Sequence, residues 1–287
     1  MSTDPYPLSR RETLHRLAGG LAGSLLLPHL ASARPTGASP RIERIGLQLY
    51  TVRAALAKDL EGTVAAIAKA GITELEFFNL FGKPVSFWTT LMARHGLTAP
   101  AAHEGLPEAD DGWGPIFDRA HGLGHRWVIV PWVGEGYRGS RAAWQRLAAR
   151  LNRGAERAKA AGLGFGYHNH DFEFTPVDGT TGYEILTTET DPALMKLELD
   201  LYWAVKAEQD PMAILRRWPG RVISCHVKDA GPAPAREMRD VGKGTIDFRA
   251  LLMAGRAAGL THWFIEHDNP TDPIATVTAS AAAMRGF

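Results

Sequence analysis

Residues 141–168 read RAAWQRLAARLNRGAERAKAAGLGFGYH, and two periodicities meet in them. Leu147, Leu151, Ala155 and Ala158 recur at helical spacing, which gives a long helix over 141–161 one apolar face. Gly162 then supplies the left-handed conformation that ends helices. A short strand is predicted directly after it, over 164–168, and another, over 127–130, precedes the helix. Strands joined through a helix lie parallel, because no hairpin can connect them.

The same beat runs through the rest of the chain. Short apolar or β-branched runs fall at 45–50, 74–78, 98–102, 196–201, 222–227 and 263–265, with helical segments between them. Gly71, Gly96 and Gly259 stand, like Gly162, where a helix must stop before the next strand. Eight such units in about 250 residues predict a single (β/α)8 barrel rather than an open doubly wound sheet. The first strand, GLQLYTVR, is followed by no glycine-rich phosphate loop, which counts against a dinucleotide fold.

The N-terminus reads differently. Arg10 and Arg11 form a twin-arginine pair, an apolar run extends over 17–30, and Ala31-Ser32-Ala33 supplies small residues for signal cleavage. We therefore expect a twin-arginine signal peptide over 1–33, a linker over 34–41 and the barrel over 42–287, with a periplasmic destination. The apolar run is too short and too broken by glycine and Pro28 for a membrane span. The whole chain carries 32 basic and 31 acidic residues, and cleavage would remove three arginines and two acidic residues. A balance near zero leaves no electrostatic footprint for nucleic acid or an anionic membrane. With one cysteine, Cys225, an internal disulfide is excluded; its alternation against His226 marks it as a buried thiol. Trp127 and Trp263 are expected between barrel and helices.

The chemistry lies on alternate strand positions. In KLELDLY, 196–202, the leucines take one face and Glu198, Asp200 and Tyr202 the other. A polar stripe inside a barrel is costly unless it is paired or ligates something. His226 and Lys228 share a face in VISCHVKD, Glu266 ends the eighth strand, and His168 and His170 share a face in GYHNHDFEF. Strands five to eight thus deliver His168, Asp200, His226 and Glu266 at their C-terminal ends, where barrel active sites lie. Mixed imidazole and carboxylate donors suit one Mn, Fe, Co or Zn ion better than Mg or Ca. Lys228, Gln48, His103, Trp203 and Trp132 lie near strand ends as candidate substrate contacts, with Phe78 and Tyr202 as further aromatic surfaces.

These motifs, with GLQLYTVR at 46–53 and VGKGTIDF at 241–248, resemble the xylose-isomerase-like barrels of sugar isomerases and epimerases over essentially the whole mature chain. The resemblance implies a divalent metal held by Glu, Asp, His and Glu from strands five to eight; the last three correspond to Asp200, His226 and Glu266. It also implies proton abstraction beside a sugar carbonyl, through an enediolate, by two ligating glutamates. The first of these is replaced here, because His168-Asn169-His170 stands where the family often has Glu-Asn-His. Glu266 is then the remaining ligating base. His170, or Glu173 if its loop folds back, is the candidate for the second proton, and Glu173 competes with His168 as first ligand.

The expected activity is sugar isomerisation or epimerisation, and the alternative on the same metal is cleavage of a keto-glycoside, for which one base suffices. The partner is a small sugar or glycoside; a homodimer is compatible with either. A non-catalytic sugar-binding barrel is the alternative from another class, against which Glu266 and His170 weigh as acid/base candidates. Hydrolase barrels carry a His-x-His pair on the first strand, which has no histidine here, and endonuclease barrels need a basic groove.

Overall fold

The computed structural model describes residue 42 and residues 44–287; the expected signal peptide and linker lie outside the described residues. Eight parallel strands close into a barrel in sequence order: β1 (Gly46–Gln48), β2 (Glu74–Phe77), β3 (Thr98–His103), β4 (Trp127–Val130), β5 (Gly164–His168), β6 (Met195–Asp200), β7 (Val222–Val227) and β8 (His262–Ile265). The longest helix, Arg141–Ala160, presents Leu147, Leu151, Ala155 and Ala158 to the core, as its spacing predicts. Among the described residues no helix is long and apolar enough to cross a membrane.

Alternation along each strand sorts side chains between two buried environments. Leu47, Leu75, Val128, Phe165, Leu199, Cys225 and Ile265 belong to the large core shared with the helices. The opposite positions fill the barrel in layers. At its N-terminal end Glu74 pairs with His262 at 2.8 Å. Above it lies a separate apolar cluster of Ala101, Ile129, Ile223 and Phe264. The C-terminal layer holds Glu76, His103, His168, Glu198 and His226, all buried.

Two expectations change. Trp127 packs on the inner apolar cluster, not between barrel and helices; in WVIV no polar residue marks which face is inward. The first strand is also shorter than its apolar run, because a 3-10 turn begins at Leu49, capped by Gln48 Oε1 accepting from Tyr50 N at 3.1 Å. That turn leaves Tyr50 exposed at the barrel mouth. Register shifts fall beside Glu76 in the β2–β3 pairing and beside Glu198 in the β6–β7 pairing, as bulges near functional sites commonly do.

The closing pair β1–β8 depends on a missing side chain. A Cβ on Gly46 would lie 2.3 Å from Phe264 Cδ1 and 2.9 Å from the Trp263 carbonyl oxygen. Gly46→Ala is therefore expected to destabilise the barrel by about 1–3 kcal/mol, the usual range for overpacking. Calorimetric melting of both proteins checks this, and an unchanged Tm would mean that Phe264 does not cover this strand.

Candidate metal centre and pocket

The polar layer is organised by two buried carboxylates. Glu198 Oε2 lies 2.6 Å from His103 Nε2, 3.1 Å from His226 Nε2 and 3.2 Å from His168 Nδ1, while its Oε1 accepts from Ser224 Oγ at 2.7 Å. Glu76 Oε2 lies 2.6 Å from His226 Nε2 and accepts from Gln48 Nε2 at 2.8 Å. Burial, and then the Glu198 charge, raise the Glu76 carboxyl above its ordinary range. Burial pushes Glu198 the same way, but His226 and His103 outweigh it and hold the carboxyl well below its ordinary range. Burial disfavours a charged His226, yet Glu198, Glu266 and Glu76 together raise its pKa well above the usual value.

With their inner nitrogens engaged, His168 and His226 turn their other nitrogens toward the barrel mouth. His168 Nε2 lies 3.7 Å and His226 Nδ1 3.8 Å from the same atom, Asp200 Oδ2. Asp200 is itself fixed. Its Oδ1 caps the helix Leu201–Lys206 by accepting from Trp203 N at 2.9 Å, and its backbone N–H donates to Asn169 Oδ1 at 3.1 Å. Oδ2 is buried, with the Lys228 ammonium 2.9 Å away as its ion-pair partner. Glu266 Oε2 stands 2.8 Å from His226 Nδ1. A buried carboxylate oxygen beside two imidazole nitrogens and a second carboxylate is a donor set that fits a divalent transition ion, and the inner carboxylates supply the partners that ligating histidines need. Asp200, His226 and Glu266 bring donor atoms within 4.8 Å of one another, and so do His103, His168, Glu198 and His226.

Lys228 completes the charge pattern. Its Nζ lies 2.7 Å from Glu266 Oε2, 2.8 Å from Asp268 Oδ1 and 2.9 Å from Asp200 Oδ2. Burial opposes the ammonium, but the three carboxylates hold it charged, well above its ordinary pKa. In return Lys228 and His226 overcome the burial of Glu266 and keep it ionised. Asp200, where burial prevails over the same two cations, is raised to about 6.

A family model described as "Xylose isomerase-like TIM barrel" matches residues 45–285. The chain belongs to the xylose isomerase-like TIM barrel family. An inosose dehydratase from Lacticaseibacillus casei is 31% identical over 138 residues, which are 42% of this chain and 46% of that protein; the match thus spans about half of that relative's length. An inosose dehydratase from Geobacillus thermodenitrificans is 22% identical over 263 residues, 79% of this chain and 88% of that protein. A solved sugar phosphate isomerase/epimerase from Parabacteroides distasonis superposes with a TM-score of 0.76 at 24% identity, covering 90% of this chain and 98% of that one. At that identity the likeness is one of fold.

In this xylose isomerase-like barrel the expected residues separate into three groups. Asp200, His226 and Glu266 converge, with Lys228 among them; His168 groups with His103, Glu198 and His226 and reaches toward Asp200 at 3.7 Å, and His103 also lines the pocket. His170 and Trp132 line the pocket at the mouth. Glu173, Gln48 and Trp203 do something else. The Glu173 carboxylate accepts from Tyr167 Oη and from His170 N, each at 2.8 Å, so it braces the turn after β5 and reaches no metal position. Gln48 is buried, with its amide spent on Glu76 and Tyr50. Trp203 stands behind the wall, its ring 5.5 Å from His170 and 5.7 Å from Lys228 Nζ. Burial, then the Lys228 charge, lower the pKa of His170 to about 3, so its ring meets a ligand neutral.

Glu76 was not singled out from the sequence, although ELEF alternates as KLELDLY does. The VGKGTIDF motif turns out to be held by Asp229, whose carboxylate accepts from the backbone of Ala230, Gly242, Gly244 and Ile246 at 2.8–3.2 Å. A Cβ on Gly244 would fall 2.2 Å from Asp229 Oδ1, so only glycine permits that approach.

Two measurements follow from these contacts. Purified protein is expected to hold about one equivalent of a divalent transition metal, and His226→Ala little of it; elemental analysis decides, and equal metal in both would place the ion elsewhere. Burial also raises Glu173 from 4.5 to about 7. The folded chain then keeps a proton that the unfolded chain has released, so stability falls as pH rises from 4.5 to 7, by up to about 3 kcal/mol. Melting between pH 5 and 8 is expected to show a shallower decline for Glu173→Gln, and parallel curves would rule out this titration.

Proposed function

We propose that this barrel is a metal-dependent enzyme that removes a proton from the carbon beside a sugar ketone and completes the reaction by elimination. The observation that carries this is that Glu266 is the only glutamate on the pocket wall among the described residues, the other carboxylate there being the shorter Asp268 on the outer side of Lys228, while Glu76, Glu198 and Glu173 are each bound inside the fold. The β5 position from which a second glutamate would act carries His168. Epimerisation needs proton delivery to the opposite face, whereas elimination needs one base and a departing group.

His168, Asp200, His226 and Glu266 would hold the ion. When bound, it supplies Lewis-acid stabilisation of the charge that develops on the ketone oxygen. Glu266, kept ionised by Lys228, accepts the proton through a carboxylate oxygen. The C–H electron pair becomes the new C=C bond as the C–O bond one carbon further on breaks. The departing oxygen takes up a proton and leaves as water or an alcohol, so no oxidant or reductant is consumed. The Lys228 ammonium, the one lysine or arginine cation on that wall among the described residues, stabilises this oxygen by its charge as it leaves. Neutral His170 accepts or donates one hydrogen bond to the substrate.

The relatives' names as dehydratases support elimination, with water as the leaving group. We favour a keto-glycoside here, because an enzyme exported by the twin-arginine signal we propose for residues 1–33 would meet glycosides more readily than sugar phosphates. The test is incubation of Mn- or Co-loaded protein with a keto-glucoside in D₂O. Release of alcohol and an ultraviolet-absorbing enone is expected. Glu266→Gln, with its metal content verified, should be slower in kcat by roughly 10²–10⁴-fold. A deuterated, epimerised ketone with no alcohol released would return the protein to the epimerases, and no exchange at all would remove the enzymatic reading.

A further inference from the structure

The pocket above the ion-binding residues has two unlike halves. Strand β3, through His103, and strands β5 to β8 with the turns after them supply its imidazoles and charges. The segments after β1, β2 and β4 supply Tyr50, Phe78, Pro131 and Trp132. Only three large apolar side chains are exposed among the described residues, Tyr50 (39%), Trp132 (53%) and Met253 (55%). Single exposed aromatics are ordinary; two of these three on one rim, above a charged cluster, are not.

Both rings are also held in place. The Arg53 guanidinium lies 3.9 Å from the Tyr50 ring centroid and is itself tied to the Asp268 carbonyl at 2.7 Å and Asn269 Oδ1 at 3.1 Å. Phe78 meets Tyr50 edge-on, with centroids 5.2 Å apart. Arg138 lies 4.7 Å from the Trp132 centroid and 3.4 Å from that of Phe172, and its Nε donates to the Val133 carbonyl at 2.9 Å. A guanidinium stacked on one face removes rotamer freedom before a ligand arrives and leaves the other face for it. The cavity, about 480 Å³, is within the range of pockets that enclose drug-sized ligands, roughly 300–1,000 Å³, and has room beyond one sugar ring.

We infer that Tyr50 and Trp132 form a subsite for a second ring of the substrate, the leaving group of a glycoside, stacked through its C–H or π face. This deepens the elimination reading and rests on it for the reacting ring, whereas binding at the rim can be measured without turnover. Glycosides without a ketone serve as probes: phenyl glucoside and cellobiose carry a second ring, methyl glucoside does not. Calorimetric titration of metal-loaded protein is expected to give tighter Kd values for the two ring-bearing probes. Trp132→Ala should weaken both by roughly 3- to 10-fold, the range for one aromatic contact, and Trp132→Phe should recover much of this. Methyl glucoside should shift less than these. Phenyl glucoside ahead of cellobiose would assign an aryl leaving group, and the reverse order a sugar. Equal losses for all three probes, no loss, or no ring preference in the parent would overturn the subsite. Ring preference in a protein that eliminates nothing would sink the elimination reading alone.

Discussion

A buried anion, Glu198, holds three imidazoles and one hydroxyl in the upper layer of the barrel, and the rest of the site is arranged around it. An ionised carboxylate without water is tolerated only when its lone pairs are met, and here His103, His168, His226 and Ser224 meet them. Each ring that turns one nitrogen inward must turn the other outward. The convergence of His168 and His226 on Asp200 is therefore decided a layer below the metal position. Glu76 adds a second inner anchor for His226; burial and then the Glu198 charge make it the easier of the two glutamates to protonate, because the imidazoles stabilise Glu198 more.

Much of this architecture is written in local pattern. The bounds of β4, β5 and β7 coincide with their apolar runs, because each run is short and flanked by residues that cannot extend it. KLELDLY discloses its two faces because leucine and carboxylate alternate in kind. WVIV discloses nothing about its faces, and Trp127 went to the wrong side. Glu76 hid in an equally clear alternation, since a glutamate in a strand ordinarily faces water; its partner, His226, is 150 residues away. Glu173 shows the opposite failure. It stands in the most suggestive motif of the chain, yet Tyr167 and the His170 amide claim it, a choice made by tertiary packing that spacing does not encode.

The division of the pocket follows the division of the barrel. Charges come from one run of adjacent strands and aromatic surfaces from the segments after β1, β2 and β4; Tyr50 shares Arg53 with the Asp268 backbone, whereas Trp132 rests on Arg138, which is tied to the Val133 carbonyl. Contacts that belong to different elements with separate supports are energetically close to independent. Chemistry and ring preference can then change separately, which suits a fold that hosts several sugar reactions.

Lys228 has a consequence for the life of the molecule before it works. Asp200, Glu266 and Asp268 crowd around one ammonium, and His226 is poised to carry a second positive charge. The carboxylates are thus partly neutralised from within, and closing the barrel gathers less bare negative charge at its mouth. Many small metal domains collapse only when their ion arrives. This chain places cations of its own among those carboxylates, so part of their mutual repulsion is offset within the fold itself.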